Sequence, residues 1–146
     1  MTKTIKTQGF TIIELLFVLV LAGVTVFGVY RSVGNLKQDN RDAKRTKFVD
    51  LTSAHLEYAY GTKNTYPTQA QLLDSSEGGW QKTNLKGFDT TVLTDPDGIA
   101  LGTENSDYTY TALPAECNGA DVPCTSFELK AKTENAGEIT KSSLPK

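Results

Sequence analysis

Hydrophobic positions are spread unevenly along this chain. Between Phe10 and Tyr30, 16 of 21 residues are apolar, whereas from Arg31 to Lys146 only 38 of 116 are. The first run predicts a helix that rises about 31 Å, enough to cross a hydrocarbon core, with Tyr30 at the headgroup level. No proline occurs before Pro67. One helix from Thr11 to about Tyr60, ~75 Å long, is therefore expected. In its second half Phe48, Leu51, His55 and Tyr58 recur at roughly helical steps and predict a core-facing side. Gly61 is placed to cap the C-terminus. Gly23 and Gly28 each weaken the helix by about 1 kcal/mol relative to alanine and mark its soft points. In a membrane such small residues also allow close helix packing.

Beyond the helix the pattern changes. Thr68 followed by Gln71 reads as a capping box that opens a short helix, which Asp74 to Gly79 ends. Trp80 to Phe88 reads as a loop lying over the core. Thr90 to Thr94 is strand-like and leads into the turn Asp95-Pro96-Asp97-Gly98. Tyr108 to Ala112 and Phe127 to Thr133 alternate with period two, with Phe127, Leu129 and Ala131 on one side and Glu128, Lys130 and Lys132 on the other. Asn135 to Lys146 is polar and reads as a loose tail. The fold class expected is α+β: a long N-terminal helix with an antiparallel sheet of three or four strands packed on its second half.

Length and charge narrow the function. A chain of 146 residues allows one domain, and a net charge of −2 gives no general field for gripping nucleic acid. The positive charge gathers in Arg31, Lys37, Arg41, Lys44, Arg45 and Lys47, while Phe48 to Lys146 carries 7 basic and 14 acidic residues. This cluster reads as a solvated helix stem that packs beside the acidic head of a neighbour. Binding to phosphates of lipid or DNA is disfavoured, because no stacking aromatics are interleaved with the charges. With one histidine and two cysteines there is no basis for a dense zinc site, and His55 reads as a partly buried helix residue. Asp95, Asp97 and Asp107 resemble only a fragment of a calcium loop, and Pro96 favours a plain turn. No metal, cofactor or catalytic constellation is expected, and the chain does not read as an enzyme. Cys117 and Cys124 enclose six residues, with Asn118-Gly119 to turn the chain and Pro123 to stiffen its return. A disulfide in an oxidising compartment is the favoured reading. The alternatives are a metal pair, which lacks further ligands, and a redox motif, for which the spacing is too long.

Glu14 stands only five residues into the apolar run, where a carboxylate costs a few kcal/mol unless a partner satisfies it. With its surroundings, Gly9-Phe10-Thr11-Ile12-Ile13-Glu14-Leu15, it resembles the processing site of type IV pilins and pseudopilins. That family pattern is a basic leader ending in glycine, then phenylalanine, then an apolar helix with glutamate at its fifth position. The resemblance is strongest over residues 1–60. It implies that a prepilin peptidase cuts between Gly9 and Phe10, that the new amino group of Phe10 is N-methylated, and that Glu14 pairs with the amino terminus of a neighbouring subunit. Many pilins have a proline just past the apolar run; Arg31 occupies that stretch here, so no strong kink is expected. A competing reading, a secretory signal peptide cut after Val20-Leu21-Ala22, is opposed by Glu14 and by the apolar run continuing beyond Ala22.

The expected organisation is a leader at 1–9, a transmembrane and polymerisation helix at 10–30, an amphipathic stem at 31–61 and a pilin-like head at 62–146. The expected function is that of a structural subunit of a type IV pilus or pilus-like filament. The partners implied by the resemblance are the prepilin peptidase, the assembly platform with its ATPase, the membrane, and copies of the chain or sister pilins in a helical filament. The alternatives are a type II secretion pseudopilin or minor competence pilin and, in another class, a membrane-anchored binding module that never polymerises. Before assembly the chain would be a single-pass membrane protein with a cytoplasmic N terminus; afterwards it would lie in a surface filament. Charge alone does not set that orientation, since Lys3 and Lys6 oppose a net of +4 over Arg31 to Lys47.

Overall fold

The computed structural model describes residues 9–145, so most of the expected leader, with Lys3 and Lys6, lies outside the described residues. Helix α1 runs from Ile12 to Lys63. The chain divides into two compact units, one ending at Lys37 and one spanning Gln38–Lys146, so the second half of α1 belongs to the folded head.

Gly61 does not cap α1. The helix passes through it, and Asn64 adopts the left-handed conformation with φ 56°, its N–H donating to the Tyr60 carbonyl at 2.8 Å. A short polar side chain tolerates that conformation, which explains the later stop. The buried face is also rotated from the expected one. Phe48 is fully buried, but Leu51 and Tyr58 are exposed and His55 is half-buried. The face is made instead by Arg45, Phe48, Val49, Thr52, Ser53, Leu56 and Ala59. Its members recur at three- and four-residue steps; polar residues at three of them hid it.

After α1 the chain forms α2 (Gln69–Leu73), capped as expected: Thr68 Oγ1 accepts from the Gln71 N–H, and Gln71 Oε1 accepts from the Thr68 N–H. The segment expected as a loop from Trp80 contains α3 (Trp80–Asn84). Gln81 anchors it, its buried amide donating to the Leu72 carbonyl at 2.7 Å and so satisfying a backbone acceptor left open at the end of α2. Thr90–Leu93 is a 3-10 turn and not a strand. Asp89 caps it, its carboxylate accepting from the backbone and hydroxyl of Thr91.

The sheet has three antiparallel strands in the order β1 (Tyr108–Leu113), β2 (Ser126–Lys132), β3 (Glu138–Ser142). Tyr110 lies opposite Leu129, and Ala131 opposite Ile139. Strand β3 falls in the stretch expected to be a loose tail. It is a polar edge strand with one apolar position, Ile139, against the core, and so lacks the alternation that marks β1 and β2. Phe127, Leu129 and Ala131 are buried as expected. The core joins the sheet to the second half of α1: the Phe48 ring stacks on Tyr108 with centroids 3.9 Å apart, and Tyr66 meets Phe127 edge-on. Buried Tyr110 donates its hydroxyl to the Pro67 carbonyl at 2.6 Å. This is the α+β arrangement expected, consistent with a pilin-like one.

Candidate functional site

Among the described residues the apolar side chains of the first half of α1 are left exposed. By length and composition this half is sufficient to cross a membrane, and none of its apolar span is buried. Phe10 is 75% exposed and Ile12 85%, and the large side chains from Leu15 to Val33 are all exposed as well. Helix entry is built from Thr11, whose hydroxyl accepts from the Glu14 N–H at 3.3 Å and whose carbonyl accepts from Leu15 at 3.1 Å. Gly9, Phe10 and Glu14 thus sit together at one helix end, all exposed. Among the described residues the Glu14 carboxylate has no ion pair.

Cys117 and Cys124 are bonded, with Cα atoms 5.1 Å apart. Their loop is turned by Asn118, whose side-chain oxygen accepts from the backbone of Ala120 and Val122. Gly119 follows with φ 72°, and a Cβ there would lie 2.5 Å from Gln71 Oε1, so the loop presses on the capping box of α2. On its other side Cys124 is tied to the end of α1: its N–H donates to Thr65 Oγ1 and its carbonyl accepts from Tyr66 N–H, both at 2.9 Å.

The basic stem is the largest surprise. Arg45 is only 3% exposed and pairs with Asp42 at 2.9 Å, Asp107 at 2.6 Å and Glu134 at 3.0 Å. Arg41 makes a two-pronged bond to the same Glu134. Asp42 in turn accepts from the backbone N–H groups of Glu134 and Asn135, fixing the β2–β3 turn against α1. The expected acidic partner of these two arginines is therefore the chain's own head. Burial alone would lower the Arg45 pKa, but hydrogen bonds to Asp107, Glu134 and Asp42 outweigh it and hold it above the usual arginine range. Arg41 first, and then Arg45, hold the Glu134 carboxyl down at about 2. The signal in the sequence was Asp42 three residues before Arg45, one turn from Phe48 and Val49, a spacing that points an ion pair toward the core.

Asp95 is buried and does not present a metal site. One carboxylate oxygen accepts from Asp97 and Ile99 N–H at 3.0 and 2.8 Å, and the other from Asp107 N–H at 3.1 Å. Among the described residues, no three side chains of the metal-binding kind converge. His55 faces Phe88 edge-on, with ring centroids 5.1 Å apart. Comparison with known proteins finds no family model, no curated protein and no solved structure that matches this chain.

Proposed function

We propose that this chain is a structural subunit of a type IV pilus-like filament, made as a membrane-stored precursor and polymerised through the first half of α1. The observation that carries the proposal is the isolation of Glu14 on an exposed apolar helix, at the fifth position after the Gly9-Phe10 junction. A simple anchor gains nothing from a carboxylate there and loses a few kcal/mol by it. In a filament the same group gains a cation if cutting after Gly9 frees the amine of Phe10 on a neighbouring copy. The attraction then acts in a water-poor setting, where it is strong. The apolar face that the chain itself leaves uncovered would be buried against other copies or sister pilins.

The reading places the N terminus in the cytoplasm before assembly and the disulfide-bonded head outside it, since the Cys117–Cys124 bond needs an oxidising compartment. It requires a prepilin peptidase and an assembly ATPase with its membrane platform.

The test is the mature N terminus. Mass spectrometry of the membrane-extracted protein, from cells with an active prepilin peptidase, is expected to show a chain starting at Phe10 with one methyl added. A start after Ala22 would establish the signal-peptide reading and end this one. Gly9→Asp should leave full-length precursor, because a charged side chain cannot enter a pocket shaped for glycine.

A further inference from the structure

A groove of about 470 Å³ opens on the head between Lys44 and Lys47 of α1, Val92 and Thr94 around the 3-10 turn, Asp95, and Tyr108 of β1. Its chemistry is one-sided. Tyr108 is 3% exposed, its ring held on Phe48, yet among the described residues its hydroxyl makes no hydrogen bond. Burial pushes its pKa up to about 12, so at neutral pH it remains a donor. Lys44 and Lys47 are exposed, stand one helical turn apart and make no ion pair among the described residues. Lys47 acts on Asp89 only at longer range, and that carboxylate already serves Thr91. The groove's own carboxylate, Asp95, has both oxygens occupied by backbone amides. Two ammonium groups and a phenol thus line the groove, and the hydrogen-bonding capacity of its one carboxylate is already taken up by backbone N–H groups.

We propose that this groove receives an acidic side chain from the head of a second copy of the chain, the carboxylate accepting from the Tyr108 hydroxyl and lying between the two ammonium groups. The unit from Gln38 to Lys146 holds 11 basic and 16 acidic residues, so it is an acidic body on which this groove is a cationic patch. Four of its cations, Arg41, Arg45, Lys130 and Lys141, are engaged within the chain. Exposed carboxylates remain, among them Glu77 before α3 and Glu104 before β1, neither in an ion pair among the described residues. The chain therefore carries both halves of a contact on different surfaces. Where such a contact repeats head to tail without closing, it builds an open helical array. The identity of the occupant rests on the filament reading, because polymerisation brings copies side by side at high effective concentration.

The experiment is zero-length amide cross-linking of sheared filaments with a carbodiimide, followed by peptide mapping of the covalent dimer band and the monomer band. Lys44 or Lys47 joined to an aspartate or glutamate peptide is expected in the dimer band and not in the monomer band. In cells, Lys44→Glu with Lys47→Glu should be cut and inserted at the wild-type level but yield about tenfold fewer filaments, while the paired Lys→Arg changes restore them. Tyr108→Phe should give a smaller loss. Dimer cross-links that bypass both lysines, or normal filaments from the charge-reversed variant, overturn the groove proposal and leave the filament reading standing. Wild-type cells without filaments overturn the filament reading and take the proposed occupant with it.

Discussion

Two charges on the same helix meet opposite circumstances. Arg45 sits in the half of α1 that belongs to the head and is enclosed by three carboxylates of its own chain. Glu14 sits in the other half, among exposed apolar side chains, and its own chain supplies it with no cation among the described residues. The same contrast holds for the hydrophobic residues. Phe48 and Leu56 are fully buried, whereas Phe17 and Val26 are 64% and 69% exposed. Large apolar side chains occur in both halves; what decides their burial is whether, among the described residues, the partner is encoded in the same chain. Where it is, the residues contribute to folding. Where it is not, they are available for association, and a mutation there should leave the fold alone.

The largest expected effect comes from breaking the lone charge. Glu14→Leu should be inserted and cut normally, since removing an acid from an apolar segment only eases insertion. It should yield few or no surface filaments, because the amine of the neighbouring Phe10 is then buried without a partner. A shear fraction probed for the protein, beside a membrane fraction, measures both. Normal filament yield would favour the non-polymerising membrane-anchored module. Head stability, followed as the melting temperature, should not move.

Arg45→Leu should do the reverse. It leaves Asp42, Asp107 and Glu134 gathered without their central cation, and removing one member of a buried pair costs about 3 kcal/mol at the low end of the usual range. For a unit the size of the head that is roughly a 12 °C fall in melting temperature. The pH dependence gives a second reading. The Glu134 carboxyl is held near 2, below its ordinary 4.5. A depressed carboxylate contributes fully above the higher value and loses its contribution as pH falls toward the lower one. Asp42, lowered chiefly by the Glu134 and Asn135 N–H groups and less by Arg45, acts in the same direction. Arg41, the larger cause of the Glu134 depression, stays in Arg45→Leu, so the gap should be widest near neutral pH and narrow only in part between about pH 5 and 2. A gap independent of pH would mean that Arg45 acts through packing of its stem.

Cys117→Ser tests a covalent tie within the folded half. The cysteines are separated by 7 in sequence. Closing so short a loop is worth about 2.5 kcal/mol on the chain-entropy model. The variant should melt roughly 10 °C lower under oxidising conditions and unchanged under reducing ones. Equal losses in both conditions would assign the whole effect to packing of the half-buried Cys117 against the core.

What was legible in the sequence follows the same division. Signals carried by a few neighbouring residues survived: the Thr68–Gln71 capping box, the alternation of Phe127, Leu129 and Ala131, and the Cys117–Cys124 bond are all present. Signals that depend on distant partners were misread. Leu51 and Tyr58 look like core residues, but Thr52 and Ser53 occupy the buried side. Helix α3 depends on Gln81 reaching the Leu72 carbonyl, and β3 depends on pairing with β2, neither of which leaves a periodic mark. At the candidate assembly end the motif was plain from Gly9, Phe10 and Glu14. The groove at Tyr108 was not, since three separate segments build it.

The smallest expected effect concerns where the folded half of α1 ends, and its value lies in its sign. Glycine at a left-handed cap resists replacement, because a Cβ there is strained; glycine inside a helix is a weakness that alanine repairs. Gly61 lies within α1, has no positive φ, and a Cβ added to it would meet nothing within 4 Å. Gly61→Ala should therefore stabilise the head by about 0.5–1 kcal/mol. Asn64, with φ 56°, occupies the position that a cap requires. Asn64→Ala should cost about 1 kcal/mol, since alanine has no local hydrogen bond to offset the left-handed conformation. Thermal melts of the two variants beside wild type should shift in opposite directions by a few degrees. A loss from Gly61→Ala together with no loss from Asn64→Ala would move the cap back to Gly61 and shorten the part of the helix that the core stabilises.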